Sequence, residues 1–260
     1  MSGTVRVERD GAIGWLVFES PGRRNAISKA MWRRIPDAIR ELGDDGDVRV
    51  VVMRGAGEEA FVSGADISEF DALRSGDGAR EYEEENVRAF TALESLEKPL
   101  LAMIHGFCVG GGVALAITAD LRYAADDAVF AVPAARLGLG YPIAGLETLV
   151  RLVGPSVTKE IFFTARRFTA PEARERGLVN EVVPKGDLER RVREMASAIA
   201  ANAPLTIRSV KRSVAELGRD AADRDLGAAA AAVRACFDSE DYREGVRAFL
   251  EKRTPVFRGR

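Results

Sequence analysis

The chain has 260 residues, enough to bury roughly three quarters of the surface its unfolded form exposes, so a full core is expected. Hydrophobic residues make up 47% and charged residues 30%, and 38 basic against 40 acidic side chains leave a net charge of −2. That balance gives no electrostatic reason to expect nucleic acid or an anionic membrane as partner, and no apolar run approaches the length of a membrane span or a signal core.

In chain order, residues 12–18 form a continuous apolar run that predicts a strand, followed by a helix over about 29–42. Strands are predicted again over 48–53, 99–104 and 178–183, and helices over about 82–97, 110–119, 145–153 and 156–164. Strand alternating with helix argues for an α/β fold with parallel pairing. From about residue 187 the pattern is only helical. Leu188, Val192, Met195 and Ile199 fall on one helix face, and Ile207, Val210, Val214 and Leu217 repeat the spacing after Pro204, which suits a first helical turn. Segments 221–236 and 239–252 complete three or four packed helices, with Ala228–Ala232 read as helix. The expected division is therefore residues 1–186 as core and 187–260 as a helical region. Glu69, Asp71 and the acidic run Glu81–Glu85 are expected on exposed helix faces. The helices around 71–90 are expected to wall whatever pocket the core holds.

Cys108 and Cys236 stand far apart and are expected as buried, reduced thiols, which places the protein in the cytoplasm. With the one histidine, His105, they make no metal-ligand spacing, and His105 is read as structural. Two stretches join glycine to a helix start: Phe61-Val62-Ser63-Gly64-Ala65-Asp66-Ile67, and His105-Gly106-Phe107-Cys108-Val109-Gly110-Gly111-Gly112-Val113-Ala114. Neither gives a P-loop, a dinucleotide fingerprint or a nucleophile elbow. Glycine lets backbone approach a ligand, and unpaired N–H groups at a helix start favour a developing negative charge. Brought together, the two stretches would make an oxyanion hole.

These residues resemble the enoyl-CoA hydratase family of the crotonase superfamily. Phe61–Ile67 is similar to its F-x-x-G-A-D-I motif, Asn25-Ala26-Ile27 to its early N-A-[LM], Gly106–Gly112 with Ala116 and Asp120 to its central glycine motif, and Ala248–Arg253 to its terminal A-F-x-E-K-R. The resemblance implies a crotonase-like spiral of ββα units, a C-terminal helical trimerisation region, and a homotrimer or dimer of trimers. It implies an acyl-CoA thioester as ligand, with coenzyme A entering only as part of that substrate and no separate cofactor or metal. The N–H groups of Ala65 and Gly111 would bind the thioester carbonyl, with Ser63, Gly64 and Gly110 of the same loops among the substrate-binding residues, and Ala114, Ala134 and Glu147 counted with them. Ala26, Ala65, Asp66 and Ile67 would line the coenzyme path, and Arg24, Phe249 and Lys252 would lie near its phosphates, the last two from a neighbouring subunit.

The sequence departs from that family at two positions. Where a hydratase of the family carries glutamates, this chain has Ala114 and Ala134. Neither alanine can hold a proton, and such groups typically contribute 10²–10⁴-fold each. The expected chemistry is therefore thioester-enolate stabilisation without the two-glutamate mechanism. The remaining polar candidates are Tyr141, which resembles the tyrosine of the methylmalonyl-CoA decarboxylase branch, and Glu147 on the next helix. Two alternatives stay open: a decarboxylase of malonyl-type CoA esters, and a non-catalytic acyl-CoA binder.

Overall fold

A hairpin opens the chain. β1 (Thr4–Asp10) and β2 (Ile13–Glu19) pair antiparallel with Asp10 opposite Ile13, and the turn between them is Gly11-Ala12, with Gly11 at φ 57°. The computed structural model describes residues 3–66, 77–141 and 143–260. Ile67, Glu69, Asp71 and the first part of the predicted 71–90 wall lie outside the described residues.

Helix α1 (Lys29–Asp44) follows. Its N-cap Ser28 accepts a hydrogen bond from the Met31 N–H at 3.4 Å, and Met31, Trp32, Ile35, Ala38, Ile39 and Leu42 form its buried face. Then a strand of one sheet, a strand of a second sheet and a helix succeed one another three times. The first unit is β3 (Val50–Gly55), β4 (Ala60–Val62) and α2 (Asp77–Glu94). The second is β5 (Leu100–Ile104), β6 (Phe107–Val109) and α3 (Gly111–Ile117). The third is β7 (Leu121–Ala125), β8 (Val129–Ala131) and, after a 3-10 turn at Pro133–Leu137, α4 (Ile143–Thr164). This is the spiral of ββα units that the resemblance implies.

The remaining elements are β9 (Phe168–Thr169), α5 (Ala170–Glu175), β10 (Glu181–Val183), α6 (Leu188–Ala200), α7 (Pro204–Leu217), α8 (Leu226–Asp238) and α9 (Glu240–Leu250). One sheet has the order β1-β2-β3-β5-β7-β10 and the other β4-β6-β8-β9. Every pair in the first sheet beyond the β1–β2 hairpin is parallel. Its central strands β2, β3 and β5 read as apolar runs because both faces are covered. Leu16, Phe18, Val51, Met53, Leu100 and Ala102 face the main core. Trp15, Val17, Val50, Val52, Leu101 and Met103 face the other way, against Leu188, Val192 and Ala196 of α6.

Several expectations need correction. Strand β1 was not predicted, because Thr4-Val5-Arg6-Val7-Glu8-Arg9-Asp10 is a mostly exposed edge with few apolar residues. The predicted face Val210, Val214 and Leu217 of α7 is exposed, and the buried residues of that helix are Ser209 and Glu216. The segment predicted as helix from 221 starts with a 3-10 turn at Ala221–Asp223, and α8 begins only after Asp225, whose carboxylate accepts from the Ala228 N–H. Glu85 is not an exposed charge: it is buried and paired with Arg33 and Arg88 at 2.8 and 2.9 Å. The predicted break between helices 145–153 and 156–164 is present at Gly154, with φ 78° and ψ 166° ahead of Pro155. Among the described residues no helix is long and apolar enough to cross a membrane, and no group of three or more acidic, His or Cys side chains could hold a metal ion.

Candidate active site

The site starts from a strained turn. Arg24 and Asn25 both have left-handed backbone, at φ 49° and 56°, which non-glycine residues adopt at a cost. Asn25 holds the turn with its buried carboxamide. Its Oδ1 accepts from the Ser20 N–H at 3.2 Å, and its Nδ2 donates to the carbonyls of Ala56 at 3.0 Å and Ala60 at 2.8 Å. The Ala26 N–H closes the turn on the Arg23 carbonyl at 2.9 Å.

Past that turn, Ile27 forms a parallel bridge with Ala65. The Ile27 N–H donates to the Gly64 carbonyl at 2.8 Å, and the Asp66 N–H donates to the Ile27 carbonyl at 2.9 Å. In a parallel bridge the residue between those two partners turns its own N–H to the opposite side. The Ala65 N–H is therefore directed away from Ile27. Ser63 anchors the same loop through its N–H to the Arg24 carbonyl and its hydroxyl to the Arg23 carbonyl, both at 3.1 Å.

The triple glycine meets this loop. Gly110 needs its φ of 53°, and its N–H is held by the Ala131 carbonyl at 2.8 Å. Gly112 is needed for close approach: a Cβ there would stand 2.1 Å from the Val62 carbonyl oxygen. Gly111 differs from both. A Cβ on it would meet Ile27 Cγ2 and Trp32 Cζ2 at 3.6 Å and the Ala65 nitrogen at 3.9 Å, all ordinary contacts. The first residue of α3 thus faces the Ala65 nitrogen across a narrow cleft. As the first helical residue, Gly111 has an N–H without an intrahelical acceptor; the first helical bond runs from Ala114 to the Gly110 carbonyl at 3.1 Å. Among the described residues, no backbone carbonyl accepts from the N–H of Ala65 or of Gly111.

The other predicted residues fall into two groups. Ala114 lies half-buried on α3, one turn from the glycines. Ala134 is buried in the main core, in the 3-10 turn that follows β8, and its carbonyl accepts from the Leu139 N–H at 3.0 Å. Tyr141 comes next, half-buried, its ring edge-on to Phe162 at 4.8 Å. Arg24 lies with Arg167 over the Phe107 ring, at 4.6 and 5.8 Å, and pairs with Glu59 at 2.7 Å. Asp66 pairs with Arg23.

Three residues are placed elsewhere. Glu147 has an exposed side chain on α4 that is ion-paired with Arg151. Phe249 is 83% exposed and lines a separate apolar groove between α7, α8 and α9, and Lys252 follows just beyond α9 with φ 53°. One chain alone does not bring either to the glycine loops.

Burial also shifts two interior groups beside the glycine loop. Burial lowers the His105 pKa below the ordinary imidazole value, so the ring stays neutral in the interior. Burial pushes the Cys108 thiol well above its ordinary value, which makes it no nucleophile. Trp32, which sequence reading missed, forms the wall beside Gly111. Its Nε1 donates to the Tyr82 hydroxyl at 3.1 Å and its ring meets Phe90 at 5.3 Å. On α2, the helix of Tyr82 and Phe90, Glu94 has its carboxyl pushed up by desolvation, against a hydrogen bond from Thr148 and the charge of Arg151.

Comparison with known proteins gives the family. The family model described as enoyl-CoA hydratase/isomerase matches residues 8–260. A short-chain-enoyl-CoA hydratase of Clostridium acetobutylicum is 34% identical over 249 residues, covering 96% of this chain and 95% of the relative. A crotonyl-CoA hydratase of Syntrophomonas wolfei is 36% identical over 253 residues, covering 97% of each. The crystal structure of an enoyl-CoA hydratase/carnitine racemase from Magnetospirillum magneticum superposes with a TM-score of 0.93 at 35% identity, over 99% of this chain and 96% of that one.

Proposed function

Because this chain belongs to the enoyl-CoA hydratase/isomerase family, we propose that it seats an acyl-CoA thioester with its carbonyl oxygen between the N–H groups of Ala65 and Gly111. The observation that carries the reading is the approach of Gly111 to the Ala65 nitrogen, with no carbonyl claiming either N–H among the described residues. Two donors aimed at one oxygen favour the enolate over the neutral thioester, and each is worth on the order of 3 kcal/mol in a dry site. Arg24, with Arg167 beside it, is the cationic pair we assign to the coenzyme phosphates. The chemistry asks for no separate cofactor, because the backbone supplies the charge stabilisation. We place the protein in the cytoplasm, consistent with its two unpaired thiols, Cys108 and Cys236.

The reaction proposed does not run through two glutamates, since Ala114 and Ala134 have no proton to give or take. A second reading is favoured by this same pair of alanines: decarboxylation of a malonyl-type thioester. There the bond to the carboxylate breaks, its electron pair becomes the enolate, CO2 leaves, and Tyr141 returns a proton to carbon. No general base is required. The test is CO2 release from malonyl-, methylmalonyl- and ethylmalonyl-CoA, together with binding of each. Release that falls in Tyr141→Phe supports decarboxylation with Tyr141 as acid. Binding without release excludes the decarboxylase reading, and absence of binding by any CoA thioester sinks the whole proposal.

We further propose assembly as a homotrimer or a dimer of trimers. Val214, Leu217, Phe237, Phe249 and Leu250 leave large apolar side chains exposed on α7, α8 and α9 of the single chain. A neighbouring copy covering them would also be the route by which Phe249 and Lys252 reach a coenzyme.

A further inference from the structure

We propose that a second cavity, at the end of the main sheet where its parallel strands β3 and β5 begin, binds a phosphate monoester with an apolar body. Arg49 leads into β3, and Lys98 and Pro99 lead into β5. Val51 stands opposite Leu100, and the Val51 N–H donates to the Pro99 carbonyl at 2.8 Å, so Arg49 and Lys98 lie side by side at the start of the two strands. The glycine loops lie elsewhere, after β4 and β6. Helix α1 reaches both places. Its first turn carries Trp32, the wall beside Gly111, and its last turns give Ile39, Arg40 and Gly43 to the cavity. Gly43 is roughly 16 Å further along that helix than Trp32. The start of α7 and the segment around Arg258 complete the enclosure.

The cavity measures about 580 Å³, the scale of a small-molecule site. Its charges do not cancel. Asp45 is paired with Arg9 at 3.2 Å, Arg40 with Asp37, and Arg208 with Glu97 at 3.2 Å. That leaves Arg49, Lys98 and Arg258 against Asp44. Arg49 donates to the carbonyls of Ala200 at 3.3 Å and Phe257 at 2.7 Å, and Lys98 to those of Leu42 at 2.7 Å and Asp45 at 2.6 Å. Those carbonyls fix the two side chains in place and neutralise neither. Among the described residues no carboxylate lies within ion-pair distance of Arg49, Lys98 or Arg258. Burial lowers the Lys98 pKa below the ordinary amine value; Asp45 and Asp44 oppose that shift and Arg208 adds to it. Three cations facing one carboxylate select a dianion. A phosphate monoester carries close to two negative charges at neutral pH, and its oxygens match the fork of a guanidinium. Ile39, Val48, Leu96 and Ile207 supply an apolar wall for the rest of the ligand.

The experiment is titration calorimetry of the full chain with phenyl phosphate and with phenol, for the wild type, Arg258→Gln, Lys98→Met and Arg24→Gln. The wild type is expected to bind phenyl phosphate at least about tenfold more tightly than phenol, the scale of one hydrogen bond to a charged group. Arg258→Gln should weaken phenyl phosphate roughly fivefold, as suits an exposed cation, and Lys98→Met about tenfold. Arg258 makes no side-chain hydrogen bond or ion pair among the described residues, so Arg258→Gln carries the test if Lys98→Met fails to fold. Arg24→Gln, at the residue assigned to the coenzyme phosphates, and saturation with crotonyl-CoA should both leave the phenyl phosphate affinity unchanged. Wild-type binding weaker than about 1 mM, or equal binding of phenol, overturns the inference. So does an affinity that falls in Arg24→Gln or under crotonyl-CoA and survives in Arg258→Gln, because the probe would then occupy the coenzyme path.

Discussion

Gly111 and Gly112 are neighbours with opposite tolerances. A methyl group on Gly112 would stand 2.1 Å from the Val62 carbonyl oxygen, so α3 would have to move off β4. Gly112→Ala is expected to destabilise the protein by about 1–3 kcal/mol in chemical denaturation. Gly111→Ala meets only ordinary contacts, and its denaturation midpoint should match the wild type. Its methyl group would nevertheless occupy the cleft in front of the Ala65 nitrogen, so acyl-CoA binding should weaken at least tenfold by titration. Equal loss of stability in both variants, or unweakened binding in Gly111→Ala, would contradict the assignment. Asn25 supports the same site from behind. Asn25→Ala leaves the Ser20 N–H and the Ala56 and Ala60 carbonyls without their partner, and should cost about 1–3 kcal/mol in the same denaturation measurement. The N-A-[LM] resemblance located Asn25 in the sequence. Its role as a staple needed the structure, because two of its three partners, Ala56 and Ala60, come from a segment distant in sequence.

At the scale of elements, α5 shows how local chemistry sets an acid limit. Thr169 and Glu172 form a capping box. The Thr169 N–H, then Arg166, hold the Glu172 carboxyl down to about 2. A carboxyl depressed in the folded state adds stability above its unfolded value near 4.3, and that contribution is lost as pH falls towards 2. The gap in Tm between the wild type and Glu172→Gln should therefore be constant above about pH 5 and close as pH approaches 2. A gap that widens with acid would refute the assignment.

The same scale explains what sequence reading found. β2, β3 and β5 were legible because both of their faces are buried, which leaves no polar alternation to confuse the pattern. The short strands β4 and β6 were read as loops, since three residues each, interleaved with glycine, carry no periodicity. In the site, Ala65 and Gly111 were legible through motif resemblance, and Trp32 was not. It sits in α1 as one of six buried residues, and only the close approach of α3 makes it a wall. Glu85 misled because charge in an acidic run reads as surface, whereas Arg33 and Arg88 bury it.

For the whole molecule, Val210, Val214 and Leu217 of α7 had the right periodicity for burial and the single chain leaves them exposed, as it does Phe249 of α9, Leu217 at 65% and Phe249 at 83%. Light scattering is expected to give three or six times the 28.1 kDa chain mass, and the double variant Leu217→Glu/Phe249→Glu should shift it toward one. A single-chain mass for the wild type at micromolar concentration would contradict the assembly.

We propose an acyl-CoA thioester held by two backbone N–H groups, in a site that lacks both glutamates of the hydratase pattern. Its most direct test is crotonyl-CoA mixed with the purified protein, following the enoyl-thioester absorbance alongside binding. The thioester is expected to bind and the absorbance to persist, because Ala114 and Ala134 cannot activate water. Rapid loss of the absorbance would contradict it and would place a water-activating group at the cleft that Ala114 and Ala134 do not supply.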